Sequence, residues 1–470
     1  MNLLDPHTGL YTDHYELTMA QGYFLGGKKD TTAEFDYHFR QCPYQGGFVV
    51  LTGHAELLDM LEDYRFTGKA VDYLGSIGFD KNFLDWLGKF RFSGYVHGVR
   101  EGEIVFPHET CLRIGGNLIE AQLVETLVLN IMNFSSLVST KAARIRQAAG
   151  ENRNLMDFGL RRAHGTGGVL ASRAAVCGGF NSTSNVFSAF QYGLRSTGTM
   201  AHSWVQSFDD ELTAFRTFAR LFPEKCILLV DTYDTLNSGI PNAIKVAQEM
   251  GKEGKQLTGV RLDSGDLSYL SKKARRMLDL AGLESVQIVA SNQLDEEVIS
   301  SLLDQSAPLD SFGVGTALVT GKGSGALDGV YKLSMVNGKP TMKLSESLVK
   351  TTLPGQKSLY RYSDRDGNFQ ADGIALEPEE DFETIFHPFE SGKSSNIAEY
   401  EREPLLRRLM KNGKKTGKPE TPERISEYVA SRLGRLPDEH KRFLNPHIYR
   451  VGISPALLRL RDRLLQVKEK

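Results

Sequence analysis

The chain has 470 residues, a net charge of −2 at neutral pH, 40% hydrophobic residues and 24% charged ones. That length accommodates two or three domains with sizeable cores, and the charge balance excludes the global basicity of a nucleic-acid-binding protein. Four cysteines (Cys42, Cys111, Cys177, Cys226) lie far apart with no Cys-x-x-Cys pair, which argues against structural zinc or a disulfide framework and fits a reducing cytoplasm.

The first 18 residues lack a basic segment followed by an apolar one, so no signal peptide is expected. No uninterrupted apolar run of about 18 residues predicts a membrane span. Tyr15, Met19 and Tyr23 recur at helical spacing after Thr12-Asp13, predicting a helix over 10–26. Ala33 to Arg40 alternates strictly, with Ala33, Phe35, Tyr37 and Phe39 on one face, which predicts a half-exposed strand. A second strand is expected at 48–51, and helices at 54–64 and 81–89. Residues 120–149 contain no Gly or Pro, and predict one long helix or two consecutive ones. The basic end at Lys141, Arg144 and Arg146 suits a helix C-terminus.

From residue 155 the pattern becomes strand, polar cluster, helix, repeated. Leu155–Phe158 precedes Gly159-Leu-Arg161, and Cys226–Val230 precedes Asp231-Thr-Tyr-Asp234. Gly259–Leu262 precedes Asp263-Ser-Gly-Asp266, Val286–Ala290 precedes Ser291-Asn292, and Ser311–Val314 precedes Gly315-Thr316. Helical patterns cover 237–250, 267–281 and 295–304. This rhythm belongs to a βα barrel or a doubly wound sheet. In both, ligands bind at the C-terminal ends of the strands, where each polar cluster falls. Asp266 reads as a helix cap. Gly198-Thr-Met-Ala-His202-Ser sets a histidine among small and hydroxylated residues that suit a phosphate. The glycines of Gly313-Val-Gly315-Thr316 let the backbone approach an anion, yet lack the third glycine of a dinucleotide fingerprint, and Gly315…Gly321-Lys322-Gly323 is one residue too long for a P-loop and lacks Ser or Thr after the lysine. After residue 335 the rhythm stops. Residues 391–470 read as polar and helical, with 19 Lys and Arg against 10 Asp and Glu, a solvated basic surface.

Taken together, these stretches closely resemble nicotinate phosphoribosyltransferase. The motifs are Thr12-Asp-x-Tyr15-x-Leu-Thr-Met19, Asp157-Phe-Gly-Leu-Arg-Arg-Ala-His164, Gly198–Ser203, Leu229–Asp234, Gly259–Leu267, Ala290–Asp295, Gly313–Thr316 and Gly329–Leu333, in family order, with Asn445-Pro-His-Ile-Tyr449 near the end. The resemblance implies an α/β fold. It would comprise an irregular, TIM-like α/β barrel and an α+β domain built from N- and C-terminal segments. The corresponding division is 1–120, a catalytic domain over 121–335 opened by the helix 121–149, and a completing segment over 336–470 with the basic tail. It further implies a cytoplasmic homodimer with shared active sites, acting on small molecules without nucleic acid or membrane. The reaction would join nicotinate to 5-phosphoribosyl 1-pyrophosphate, coupled to ATP through a phosphohistidine and accompanied by Mg²⁺, in NAD biosynthesis by salvage.

By position, His202 matches the phosphorylated histidine, and Asp263 an acid near the ribose and the metal. Tyr15, Thr199 and Arg261 match nicotinate contacts, with Tyr15 lent by the other subunit. Phe158 and Arg161 match a ring-stacking and anion-binding pair. Gly313, Gly315, Thr316 and Asn292 match the phosphoribosyl pyrophosphate site. Ser182, in Asn181-Ser-Thr183, favours nicotinate over the sister activity, nicotinamide phosphoribosyltransferase, because an amide substrate is expected to need an acid there.

Overall fold

The computed structural model describes residues 7–343, 351–390 and 392–468, so the first six residues of the N-terminal stretch lie outside it. The chain divides into two compact units, Met1–Thr140 with Ala326–Lys470, and Lys141–Gly325.

The first unit is built on two large sheets and the two-stranded pair Val49–Val50 with Ile104–Val105. A seven-stranded sheet runs Lys339–Pro340, Gly329–Val336, Thr32–Phe39, Leu112–Asn117, Tyr95–Gly98, Arg407–Lys411 and Lys414–Lys415. Its strand Thr32–Phe39 is flanked on both sides, by Gly329–Val336 and by Leu112–Asn117. The expectation of a half-exposed strand is therefore corrected. Glu34 and Asp36 are 5% and 4% exposed. They are accommodated by ion pairs and hydrogen bonds that a strand pattern cannot reveal. Tyr95 donates its hydroxyl to Glu34, and Lys357 Nζ lies 2.7 Å from Asp36. A six-stranded sheet, formed wholly from residues 357–453, centres on the fully buried Arg361. Its guanidinium spans Asp372 in two bonds (2.9 and 2.6 Å) and reaches Glu103 at 2.6 Å. The polar C-terminal region is not purely helical. Ser394–Asn396, Glu401–Pro404, Arg407–Lys411, Lys414–Lys415 and Val451–Ile453 are strands, beside helices Pro422–Arg435 and Pro455–Lys468.

Residues 118–149 form two consecutive helices, Leu118–Leu123 and Glu125–Ala149, separated at Val124. By length and composition this stretch would cross a membrane, but 67% of its apolar window is buried in the fold, as in a core helix. Its basic end is not merely a dipole partner. Lys141 and Arg144 both bond the buried carboxylate of Glu296, at 2.9 and 2.8 Å.

The second unit holds six parallel strands. Their order is Ser182–Thr183, Asn154–Asp157, Ser311–Val314, Gln287–Ser291, Gly259–Leu262 and Ile227–Leu229. Apart from Asn154, Ile227, Arg261 and Gln287 their residues are buried, as in strands covered on both faces. Helices Ile240–Lys252, Leu267–Leu280 and Glu296–Asp304 connect them. The sheet is mixed α/β in kind, but among the described residues it does not close into the expected barrel. Its edges are two- and three-residue strands, Ser182–Thr183 and Ile227–Leu229. Beyond the single bridge Thr183–Ser196, the segment between them is helical and offers no strand to join them.

Candidate active site

All six strands of the second unit end on one edge, so their exits gather side chains from distant parts of the sequence. Strand Gly259–Leu262 places Arg261 half-buried and releases the chain at Asp263. Gly265 follows with φ +77°, the left-handed turn that a side chain resists. Asp266 then accepts from the Tyr269 amide (3.0 Å) and caps helix Leu267–Leu280, as its spacing predicts. The neighbouring exit at Asp231 braces this turn. Asp231 Oδ2 accepts the Asp263 amide (2.9 Å) and the Ser264 hydroxyl (2.6 Å), while its Oδ1 is buried without a hydrogen-bond partner.

His202 opens helix His202–Gln206 and stands between two of these exits. Its Nδ1 is 3.2 Å from the Thr232 hydroxyl, and its Nε2 is 3.7 Å from Asp263 Oδ2. The second distance exceeds a direct hydrogen bond and leaves space for a mediating group. The other oxygen of Asp263 accepts the hydroxyl of Ser291. Directly after Ser291, Asn292 and Gln293 both take left-handed φ angles (76° and 49°), which turns the exposed Asn292 away from the strand line.

Arg261 Nη1 donates to the Thr199 hydroxyl at 2.6 Å. Its Nε is buried with no acceptor, and its guanidinium lies 5.9 Å from the centre of the Phe158 ring. Burial holds the guanidinium below its ordinary basicity. Asp263 and Asp231 oppose that shift, and Arg161 adds to it. Arg161 itself is exposed, on the turn Leu160–Arg162. Phe158 is fixed by its amide bond to Val314 O (2.8 Å), and its ring covers Gly313, where a Cβ would meet it at 2.5 Å. Gly313 is thus required by close approach of an aromatic ring within the protein. Gly315 precedes the short helix Thr316–Val319, and Thr316 is exposed at its start.

The structure therefore brings His202, Asp263, Thr199, Arg261 and Phe158 into one linked cluster. Gly313 joins it through the Phe158 ring, and Arg161 through its charge. Thr316, Gly315 and Asn292 lie on neighbouring exits of the same edge. Ser182 is different. It is 4% exposed within its strand, and no hydrogen bond described here ties its side chain to the cluster. Its neighbour Thr183 instead donates to the buried Asp157 (2.7 Å). Tyr15 is on helix His14–Leu25 of the first unit, 49% exposed. Three residues of the cluster carried no assigned role in the sequence: Asp231, Thr232 and Ser291. Their motifs were visible, but which side chain of each motif turns inward was not.

Residues 10–133 match the nicotinate phosphoribosyltransferase (NAPRTase) N-terminal domain, 153–372 the NAPRTase family and 356–461 its C-terminal domain.

The chain belongs to the nicotinate phosphoribosyltransferase family.

A protein of Bacillus subtilis named nicotinate phosphoribosyltransferase is 39% identical over 461 residues, covering 96% of this chain and 94% of its own length. A Mycobacterium tuberculosis nicotinate phosphoribosyltransferase is 45% identical over 358 residues, 76% of each chain. Among solved structures, human nicotinic acid phosphoribosyltransferase superposes with a TM-score of 0.85 at 32% identity, over 97% of this chain and 99% of that one. Membership of this family makes the cluster an enzyme's candidate active site. Among the described residues no group of three or more His, Cys, Asp or Glu side chains is arranged to hold a metal.

Proposed function

We propose that this chain joins nicotinate to 5-phosphoribosyl 1-pyrophosphate. ATP is hydrolysed through a phosphohistidine at His202, giving nicotinate mononucleotide, pyrophosphate, ADP and phosphate. The role is NAD biosynthesis by salvage of nicotinate, and the enzyme class is that of a C–N ligase.

The observation that carries the reading is Arg261. A buried guanidinium Nε without an acceptor is costly, and a ligand carboxylate supplies what it lacks. Thr199 fixes the opposite side of the fork, so the remaining donors point one way. The Phe158 ring gives a flat pyridine its stacking face. Arg161 contributes positive charge, Tyr15 a second aromatic face from the partner subunit of a homodimer, and Ser182 a neutral setting in which a carboxylate is not repelled.

Gly313, Gly315, Thr316 and Asn292 take the phosphoribosyl pyrophosphate at the adjoining exits. Transfer at the anomeric carbon develops positive charge on the ribosyl ring, and the Asp263 carboxylate stabilises it. Asp263, with the unpartnered Asp231 Oδ1 beside it, would hold Mg²⁺, which when bound neutralises phosphate charge. A phosphoryl group on His202 adds roughly two negative charges between Thr232 and Asp263, enough to reorder donors around the substrates. The protein works in the cytoplasm.

The test is label transfer. His202→Ala should take up no acid-labile phosphate from [γ-³²P]ATP and should lose stimulation by ATP. Acid-labile phosphate on the variant would contradict the assignment.

A further inference from the structure

The motif Ala290-Ser-Asn292 places two polar residues at one strand exit, and they face different tasks. Asn292 is exposed and turned outward by its left-handed backbone. Ser291 is 2% exposed, so its hydroxyl is not open to a ligand. It donates instead to Asp263 Oδ1 on the neighbouring strand. The register explains the pairing. Leu262 lies opposite Ala290 in the parallel ladder, so Asp263 and Ser291 form the next rung, made by side chains where the backbone ladder ends.

Asp263 has three groups that could be restrained. Its amide is held by Asp231 and its Oδ1 by Ser291. Only Oδ2 is left, and it faces His202 Nε2. A half-exposed carboxylate with one oxygen unrestrained would rotate among many orientations, and ordering it in advance is what a transition state rewards. We propose that Ser291 is a positioning residue for phosphoribosyl transfer. It holds the Asp263 carboxylate with its free oxygen toward His202. This rests on the roles given to Asp263 and His202 above.

Replacing the serine by alanine removes one oxygen and leaves packing almost intact, so kinetics can isolate its role. Wild type, Ser291→Ala, Ser291→Thr, Asp263→Ala and the double variant Ser291→Ala/Asp263→Ala would be compared at saturating ATP. Loss of one hydrogen bond to a charged group predicts that Ser291→Ala lowers kcat about 10- to 100-fold. The KM for nicotinate should stay within about twofold, because that substrate is held elsewhere. Ser291→Thr, which keeps the hydroxyl, should recover most of the rate. On the Asp263→Ala background the serine change should cost almost nothing further. An equal loss on both backgrounds, or an unchanged kcat in Ser291→Ala, would overturn the inference while leaving Asp263's role standing. Full activity in Asp263→Ala would instead remove the role of Asp263 and the inference with it. If Ser291→Ala does not fold, Ser291→Cys, with a much weaker donor in a similar volume, gives the same comparison and is read by the same outcomes.

Discussion

At Arg261 two effects oppose each other. Burial disfavours the cation, and Asp263 and Asp231 favour it, with Arg161 adding repulsion. The net result is a guanidinium short of negative charge and short of one acceptor. A bound carboxylate corrects both deficits. Arg261→Ala is therefore expected to raise the KM for nicotinate by about 10- to 100-fold, from one or two charged hydrogen bonds, while the thermal midpoint moves little. An unchanged KM would count against the carboxylate site.

Glu16, next to Tyr15 in sequence, is buried. Burial pushes its carboxyl up to about 7; a hydrogen bond with Tyr15 and the charge of Lys332 oppose the shift, and Glu125 and Asp13 add to it. The folded chain thus keeps a proton that the unfolded chain releases above its ordinary value of 4.5. Stability from this residue is fully present below that value and is lost as pH rises through about 7. Glu16→Gln cannot ionise. It should match wild type near pH 4.5 and exceed it at pH 8, by at most about 3 kcal/mol. Urea midpoints at the two pH values check the sign.

Residue types at the site were largely readable in sequence. Arg261 lies in, and Asp263 and Asp231 follow, strands whose polar clusters recur at one edge, and His202 stands in a separate polar motif; one such cluster alone reads equally well as a helix cap, as Asp266 is. Side-chain direction was not readable. Ser291 and Asn292 are adjacent, yet one is buried against Asp263 and the other faces solvent.

At the scale of elements, the strand–helix units after residue 155 were legible because apolar strands and amphipathic helices differ in period. Asp266 caps its helix as the spacing predicts. The strands near the C-terminus were not legible. Arg407–Lys411 pairs with Tyr95–Gly98, some 300 residues away in sequence. Its alternation is weak because its partner, not its own composition, makes it a strand. The basic end of Glu125–Ala149 carries a similar lesson. A helix terminus accounts for cations in general, but Lys141 and Arg144 converge on one buried carboxylate. Glu296→Ala should destabilise the protein by roughly 3–5 kcal/mol, because two buried cations lose their shared partner. A loss below about 1 kcal/mol, typical of an exposed pair, would contradict this account.

At the scale of the whole molecule, each of the two units has its own sheets, and helix Glu125–Ala149 runs across the point where they divide in sequence. Family order and motif content pointed to α/β architecture correctly. The closed barrel did not follow, because closure depends on whether the edges Ser182–Thr183 and Ile227–Leu229 find a strand between them, and that segment is helical. The candidate site survives this difference. It depends on strand exits sharing one edge, which an open parallel sheet also provides.

In the proposed function this edge binds nicotinate and transfers a phosphoribosyl group to it with coupling to ATP. The most direct measurement is one assay of mononucleotide formation from nicotinate, nicotinamide and quinolinate, each with 5-phosphoribosyl 1-pyrophosphate, with and without ATP. Turnover of nicotinate that ATP stimulates is expected, with little or none of the other two. Preference for nicotinamide or quinolinate, or turnover of nicotinate indifferent to ATP, would contradict it.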